Sequence, residues 1–287
     1  MRWKGRRQSE NVEDRRGMSP GKGIVGGGMG LLIVIGLVMC MGGDPTPLIQ
    51  QIDIGALGGE DAPLSAEQEE QAKFISVVLA DTEDVWTVLF QDLGRRYVEP
   101  KLVLFSGNVR SACGFASAAM GPFYCPGDSK VYIDLSFYDQ LERRFQAPGD
   151  FAQAYVLMHE VGHHVQNLLG TSEKVQRLQQ RSSKVQANQL SVRLELQADF
   201  LAGVCAHHAQ RTKGVLEPGD IEEAIRAAEA IGDDTLQRQA QGRVVPDSFT
   251  HGSSAQRMAW FMHGYRTGDP TAGNTFDEAV FRRISPR

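Results

Sequence analysis

Apolar residues recur at helical spacing along most of this chain, and two short runs break that rhythm. The stretch Ser65-Ala66-Glu67-Gln68 reads as a capping box, with a serine side chain and a glutamine three residues later closing the first turn. Beyond it Phe74, Val77, Val78, Val85, Trp86 and Leu89 fall on one face, so the spacing predicts a long helix to about Arg96, with a break allowed near Asp81. Further helices are predicted over 151–168, over 172–212 with an interruption, over 218–231 and over 253–266. Residues 101–105 and 131–135 read as strands because both are short, rich in Val, Leu, Ile and aromatics, and bounded by turn formers. Together they predict an α+β, mainly helical domain around a small antiparallel sheet. The run 131–134 fits either the edge strand on which a peptide would lie or a strand of the core.

One apolar stretch does not fit a globular helix. No charge occurs between Lys22 and Asp44, and the run through Leu31-Leu32-Ile33-Val34-Ile35 has no polar face, which predicts a transmembrane helix over 24–43. Charge sets its expected direction. Residues 1–23 hold seven Lys/Arg against three Asp/Glu, and the remainder holds 23 against 32 within an overall net charge of −5. A basic flank before the span predicts a cytoplasmic N-terminus, a single pass through a bacterial inner membrane and a periplasmic domain. A cleaved signal peptide fits poorly, because no small-x-small site closes the run; a lipoprotein signal would place bulky Met39 where a small residue belongs. The expected organisation is a basic cytoplasmic tail (1–23), an anchor (24–43), a flexible Gly/Pro-rich linker (44–64) and a catalytic domain (65–287). The acidic main body argues against nucleic acid as a partner, since phosphate binding needs a basic face.

Four cysteines are present. Cys40 and Cys205 lie in apolar runs and read as packed thiols. Cys113 and Cys125 sit among Gly and Pro, where either a loop-closing disulfide in an exported domain or two unpaired thiols would fit.

The candidate chemistry lies in His159-Glu160-Val161-Gly162-His163. Residues four apart on a helix share a face, so His159 and His163 can offer two imidazoles to one zinc ion, while Glu160 beside them can take a proton from an activated water. Such a short motif also arises by chance, so its surroundings decide. The needed third ligand is Glu195: Glu195 and Asp199 are four apart on a stretch otherwise built from Leu194, Leu196, Ala198, Phe200 and Leu201, where two carboxylates would be costly unless paired or metal-bound. Asp199 would orient a histidine ligand through its other ring nitrogen. His164 points about 100° away around the helix and reads as a surface or supporting residue. His207, His208 and His263 read as structural or surface residues.

HEVGHH followed by ELQAD, together with the opening Met1-Arg2-Trp3-Lys4-Gly5-Arg6-Arg7, resembles the neutral zinc metallopeptidases of bacterial inner membranes over nearly the whole chain. The two motifs are more distantly similar to the gluzincins, including the CAAX-processing membrane proteases and their bacterial heat-shock relatives. That resemblance implies a zincin-like fold, a Zn2+ cofactor, a protein or peptide substrate, Glu195 as third ligand and Asp199 behind a histidine. The segment Asp247-Ser248-Phe249-Thr250-His251-Gly252 before Arg257 resembles the gluzincin turn whose histidine contacts substrate or steadies the oxyanion, with Gly252 where proline often stands. His251 would then meet the negative charge that builds on the carbonyl oxygen. A second function class, a membrane-tethered zinc-binding assembly protein that cleaves nothing, has no use for Glu160, because a purely structural site closes with four protein ligands.

Overall fold

The computed structural model describes residues 1–17, 64–143 and 145–286. The expected anchor (24–43) and almost all of the expected linker lie outside the described residues. Helix α1 (Ala66–Asp92) starts at the capping box, where Ser65 accepts from the Gln68 backbone and the Gln68 side chain returns to the Ser65 N–H. It is unbroken at Asp81, whose buried carboxylate meets Arg6 and Lys213 Nζ, the latter at 2.9 Å, through Oδ1.

Two sheets follow. The larger runs in the order β1-β2-β6-β5, made of β1 (Val12–Asp14), β2 (Lys101–Phe105), β6 (Lys130–Asp134) and β5 (Phe123–Cys125). Strands β3 (Asn108–Ser111) and β4 (Gly114–Ser117) form a separate antiparallel hairpin. The expected antiparallel pairing of 101–105 with 131–135 is corrected: β2 and β6 run parallel, with Leu102 opposite Val131 and Leu104 opposite Ile133. The hairpin and β5 lie in the connection and give it the length that a parallel crossover needs. Both strands are buried on both faces, as parallel strands are, and their residues alternate between two cores. Leu102, Leu104, Val131 and Ile133 enter the main core with Phe74, Leu79, Trp86 and Phe151. Val103, Phe105 and Tyr132 pack with Val109 and Ala116 under the hairpin. The run 131–134 is therefore an interior strand, and the edges belong to β1 and β5.

The remaining chain is helical: α2 (Ser136–Arg143), α3 (Asp150–Leu168), α4 (Thr171–Gln179), α5 (Lys184–Lys213), α6 (Asp220–Ala230), α7 (Asp233–Gln241), α8 (Ser254–Thr267) and α9 (Glu278–Ile284). The predicted 172–212 helix is interrupted at 180–183, where Ser183 and Gln186 build a second capping box.

Residues 1–17 pack against the rest of the described fold. β1 pairs in parallel with β2, Trp3 sets its ring edge-on against Phe74 at 5.4 Å, and the Met1 ammonium meets Asp150 at 2.8 Å and Asp220 at 3.4 Å. The basic residues that suggested a cytoplasmic flank are used inside the fold. Arg7 bridges to Glu83 at 3.0 Å and Asp84 at 2.7 Å, and Arg16 bonds Asp14 at 2.6 Å and the Gln68 carbonyl at 2.6 Å.

Candidate active site

Helices α3 and α5 cross where Gly162 faces Ala198. A Cβ at Gly162 would sit 2.9 Å from the Ala198 carbonyl oxygen and 3.1 Å from its Cα, so the helices approach this closely only because the residue between the two motif valine and histidine positions has no side chain. The approach brings Glu195 and Asp199 to the histidine face of α3. Gly162→Ala gains about 0.5–1 kcal/mol of helix propensity, yet overpacking against backbone costs about 1–3 kcal/mol. The variant is expected to unfold at a lower temperature and to bind zinc more weakly, read by calorimetry and metal titration.

The donors converge. His159 Nε2 lies 3.2 Å from Glu195 Oε2 and His163 Nε2 lies 3.5 Å from Glu195 Oε1, and one ligand atom from each of the three residues falls within 4.8 Å of the others. The Nδ1 atoms are already engaged. His159 Nδ1 is 2.7 Å from Asp199 Oδ1, and His163 Nδ1 is 2.9 Å from Gln166 Oε1. Each imidazole thus donates Nδ1–H to an oxygen and turns Nε2 toward Glu195, the tautomer a metal ligand needs. Gln166 is itself fixed, its Nε2 donating to the Leu194 carbonyl at 2.7 Å. Sequence reasoning missed Gln166, although a polar residue three positions after His163 on an apolar helix was the available signal.

Asp199 is fully buried and carries more than one histidine. Arg257 clasps it through Nε and Nη2, both at 2.9 Å, and Tyr155 donates its hydroxyl at 2.5 Å. Burial alone would raise the Asp199 carboxyl, but the charges of Arg257 and His159 override it and hold the group at about 2. Arg257, whose role was not legible in the sequence, keeps this carboxylate ionised. Burial likewise opposes charge on His159, yet the Asp199 charge raises its pKa to about 10, and burial is also overcome at Glu195, held well below the usual range by both histidines. The pocket is therefore built to hold positive charge between Glu195 and Asp199. A borderline dication with two imidazole nitrogens and one carboxylate oxygen fits that donor set.

These residues open onto a cleft of about 690 Å³ lined by His159, Glu160, His163, Glu195, His251 and Arg257 on its polar side and by Phe123, Phe137 and Val156 among its apolar walls. His251 reaches it from the turn before α8. Asp233 Oδ2 accepts from the backbone N–H groups of Thr250, His251 and Gly252 at 2.7, 2.6 and 3.0 Å, and its Oδ1 lies 3.2 Å from His251 Nδ1. Gly252 has φ +94°, a conformation closed to proline, so the departure from the gluzincin pattern follows from the way this turn wraps Asp233. The hydrogen bond that His251 donates to Asp233 raises its pKa, burial opposes the rise, and the Glu195 charge adds to it.

Edge strand β5 forms one wall of the cleft. Cys113, in the β3–β4 turn, is disulfide-bonded to Cys125 of β5, which joins the hairpin to this edge. His164 is not a surface residue: it is fully buried, its Nδ1 3.0 Å from the Tyr124 hydroxyl of β5 and its Nε2 2.6 Å from the Val98 carbonyl. The histidine next to the motif thus ties α3 to the edge strand. His207 and His208 contact the carbonyls of Tyr265 and Gly268, away from the cleft.

A family model described as "Putative neutral zinc metallopeptidase" matches residues 1–276. The chain is 52% identical over 289 residues to the "Uncharacterized protein YpfJ" of Escherichia coli (strain K12), covering 98% of this chain and 100% of that one. It is 40% identical over 255 residues to the "Uncharacterized protein Rv2575" of Mycobacterium tuberculosis (strain ATCC 25618 / H37Rv), covering 84% of this chain and 85% of that one. No solved structure matches the chain.

Proposed function

The chain belongs to the neutral zinc metallopeptidase family, and from that footing we propose that it hydrolyses peptide bonds in proteins or peptides with a zinc ion held by His159, His163 and Glu195. The observation that carries this reading is the convergence of three donors, each histidine oriented from behind, at the floor of a cleft that also presents Glu160 and His251. A fourth protein ligand would make the site structural; among the described residues no fourth His, Cys, Asp or Glu joins the three, and all three line the cleft. The motif helix beneath a sheet whose edge strand overlooks the site also supports a zincin-like reading of the fold.

Zinc, when bound, would supply Lewis acidity to the scissile carbonyl and acidify water at the site. The residues of the chain do the rest. An extended substrate can pair its main chain with the free edge of β5, which holds varied sequences in one register. Glu160 takes the proton of the attacking water and passes it to the leaving amine. His251, protonated through Asp233, donates to the oxygen that becomes anionic. Asp199 and Gln166 keep both imidazoles turned toward the ion.

Cleavage of a mixed peptide library by the full chain is expected to stop on removal of metal with a chelator and to return when zinc is restored. Hydrolysis that survives complete metal removal would contradict the proposal. The pH profile gives a second check. His251 serves as a cationic donor only below its pKa, so kcat falls as pH rises through that raised value. Asp233→Asn removes the main cause of the rise and is expected to move this alkaline limb to lower pH, whereas His251→Gln should abolish the limb and lower kcat at every pH.

A further inference from the structure

We infer that the N-terminus and the catalytic cleft stand on the same side of any membrane the chain meets. The inference does not depend on the proposed activity. It rests on the way residues 1–17 are built into the domain. β1 is a full member of the main sheet, with Val12, Glu13 and Asp14 opposite Leu102, Val103 and Leu104. The backbone N–H of Arg2 bonds the Val215 carbonyl at 2.8 Å, and Ser9 and Ser76 exchange hydrogen bonds at 3.1 and 3.2 Å. A bilayer cannot lie between partners in one sheet.

Charge gives an independent reason. Every Lys and Arg among residues 1–17 has a carboxylate within 4.0 Å: Arg2 with Glu217, Lys4 with Glu70, Arg6 with Asp81, Arg7 with Glu83, Arg15 with Glu13, Arg16 with Asp14. Asp81 and Glu83 are buried, at 2% and 3% exposure. Moving the tail across a membrane would strip these buried carboxylates of their arginines. The basic residues therefore serve the fold, and the bias that reads them as a cytoplasmic flank loses its basis.

The two ends of the intervening segment are also neighbours. Arg16 Nη1 donates to the Gln68 carbonyl at 2.6 Å, so the chain leaves and re-enters the domain at one place. A chain fixed on one side at both ends crosses a bilayer an even number of times or not at all. Residues 24–43 are long enough for one crossing.

The test is accessibility of both regions in spheroplasts expressing the full chain. Lys4→Cys and Val88→Cys, each in a Cys40→Ala background where Cys205 is buried and Cys113 is bonded to Cys125, place an exposed thiol at a side chain that is 79% exposed and at a residue 54% exposed. A membrane-impermeant maleimide is expected to label both in intact spheroplasts, or both only after lysis. Labelling of one before lysis and of the other only after it would overturn the inference. Protease shaving of the unsubstituted chain, with both terminal regions followed by mass spectrometry, gives the same reading without relying on either variant.

Discussion

Glu195→Ala is expected to lose zinc and peptide hydrolysis together while the fold survives. Glu195 faces both Nε2 atoms at 3.2 and 3.5 Å and is the carboxylate through which α5 closes the site on α3. Loss of an outer group that merely orients a ligand costs about 10–100-fold in metal affinity, and loss of a ligand itself should exceed that. The fold is expected to tolerate the change because truncating this side chain leaves the Asp199–Arg257 pair intact and relieves the histidines of the negative charge that favours their protonation. Metal analysis after dialysis, beside circular dichroism of the same sample, separates the two effects. Retained stoichiometric zinc in Glu195→Ala would show that the ligand set is wrong.

What could be read from the sequence, and what could not, follows the range of the interactions involved. His159 and His163 share a face because they are one turn apart, and Glu195 and Asp199 stood out because they are carboxylates on an apolar helix; both signals are local. The structure brings these four side chains together. Arg257, Asp233 and Tyr155 act on residues 58, 18 and 44 positions away; Arg257 stood out only through the resemblance of the turn before it, and nothing in their own surroundings marks Asp233 or Tyr155. The direction of β2 and β6 was misjudged because two short apolar runs look alike whether paired parallel or antiparallel; only their unbroken burial distinguishes them. The partners of the opening residues were hidden for a different reason. Arginines before an apolar stretch have the same composition whether they face lipid headgroups or the buried Asp81 and Glu83, and only the tertiary partners decide between the two.

Glu160 is the residue on which the enzymatic reading turns. It belongs to the cleft and to the same helix as both histidines, yet it is not one of the three converging donors. A carboxylate in that position adds nothing to metal retention that His159, His163 and Glu195 do not already supply, and it is the group able to accept and return the proton. Replacing it with glutamine keeps size and polarity and removes only that ability. General acid–base groups contribute about 10²–10⁴-fold to rate, so the expected effect falls on kcat and leaves zinc content and thermal stability near the parent values.

The most direct measurement is therefore made on zinc-loaded full-length protein and its Glu160→Gln variant, with zinc content and cleavage of a broad peptide library determined on the same samples. The account predicts equal stoichiometric zinc, cleavage by the parent and a loss of about 10²–10⁴-fold in the variant. Equal cleavage by the two, or none by a fully zinc-loaded parent, would contradict it.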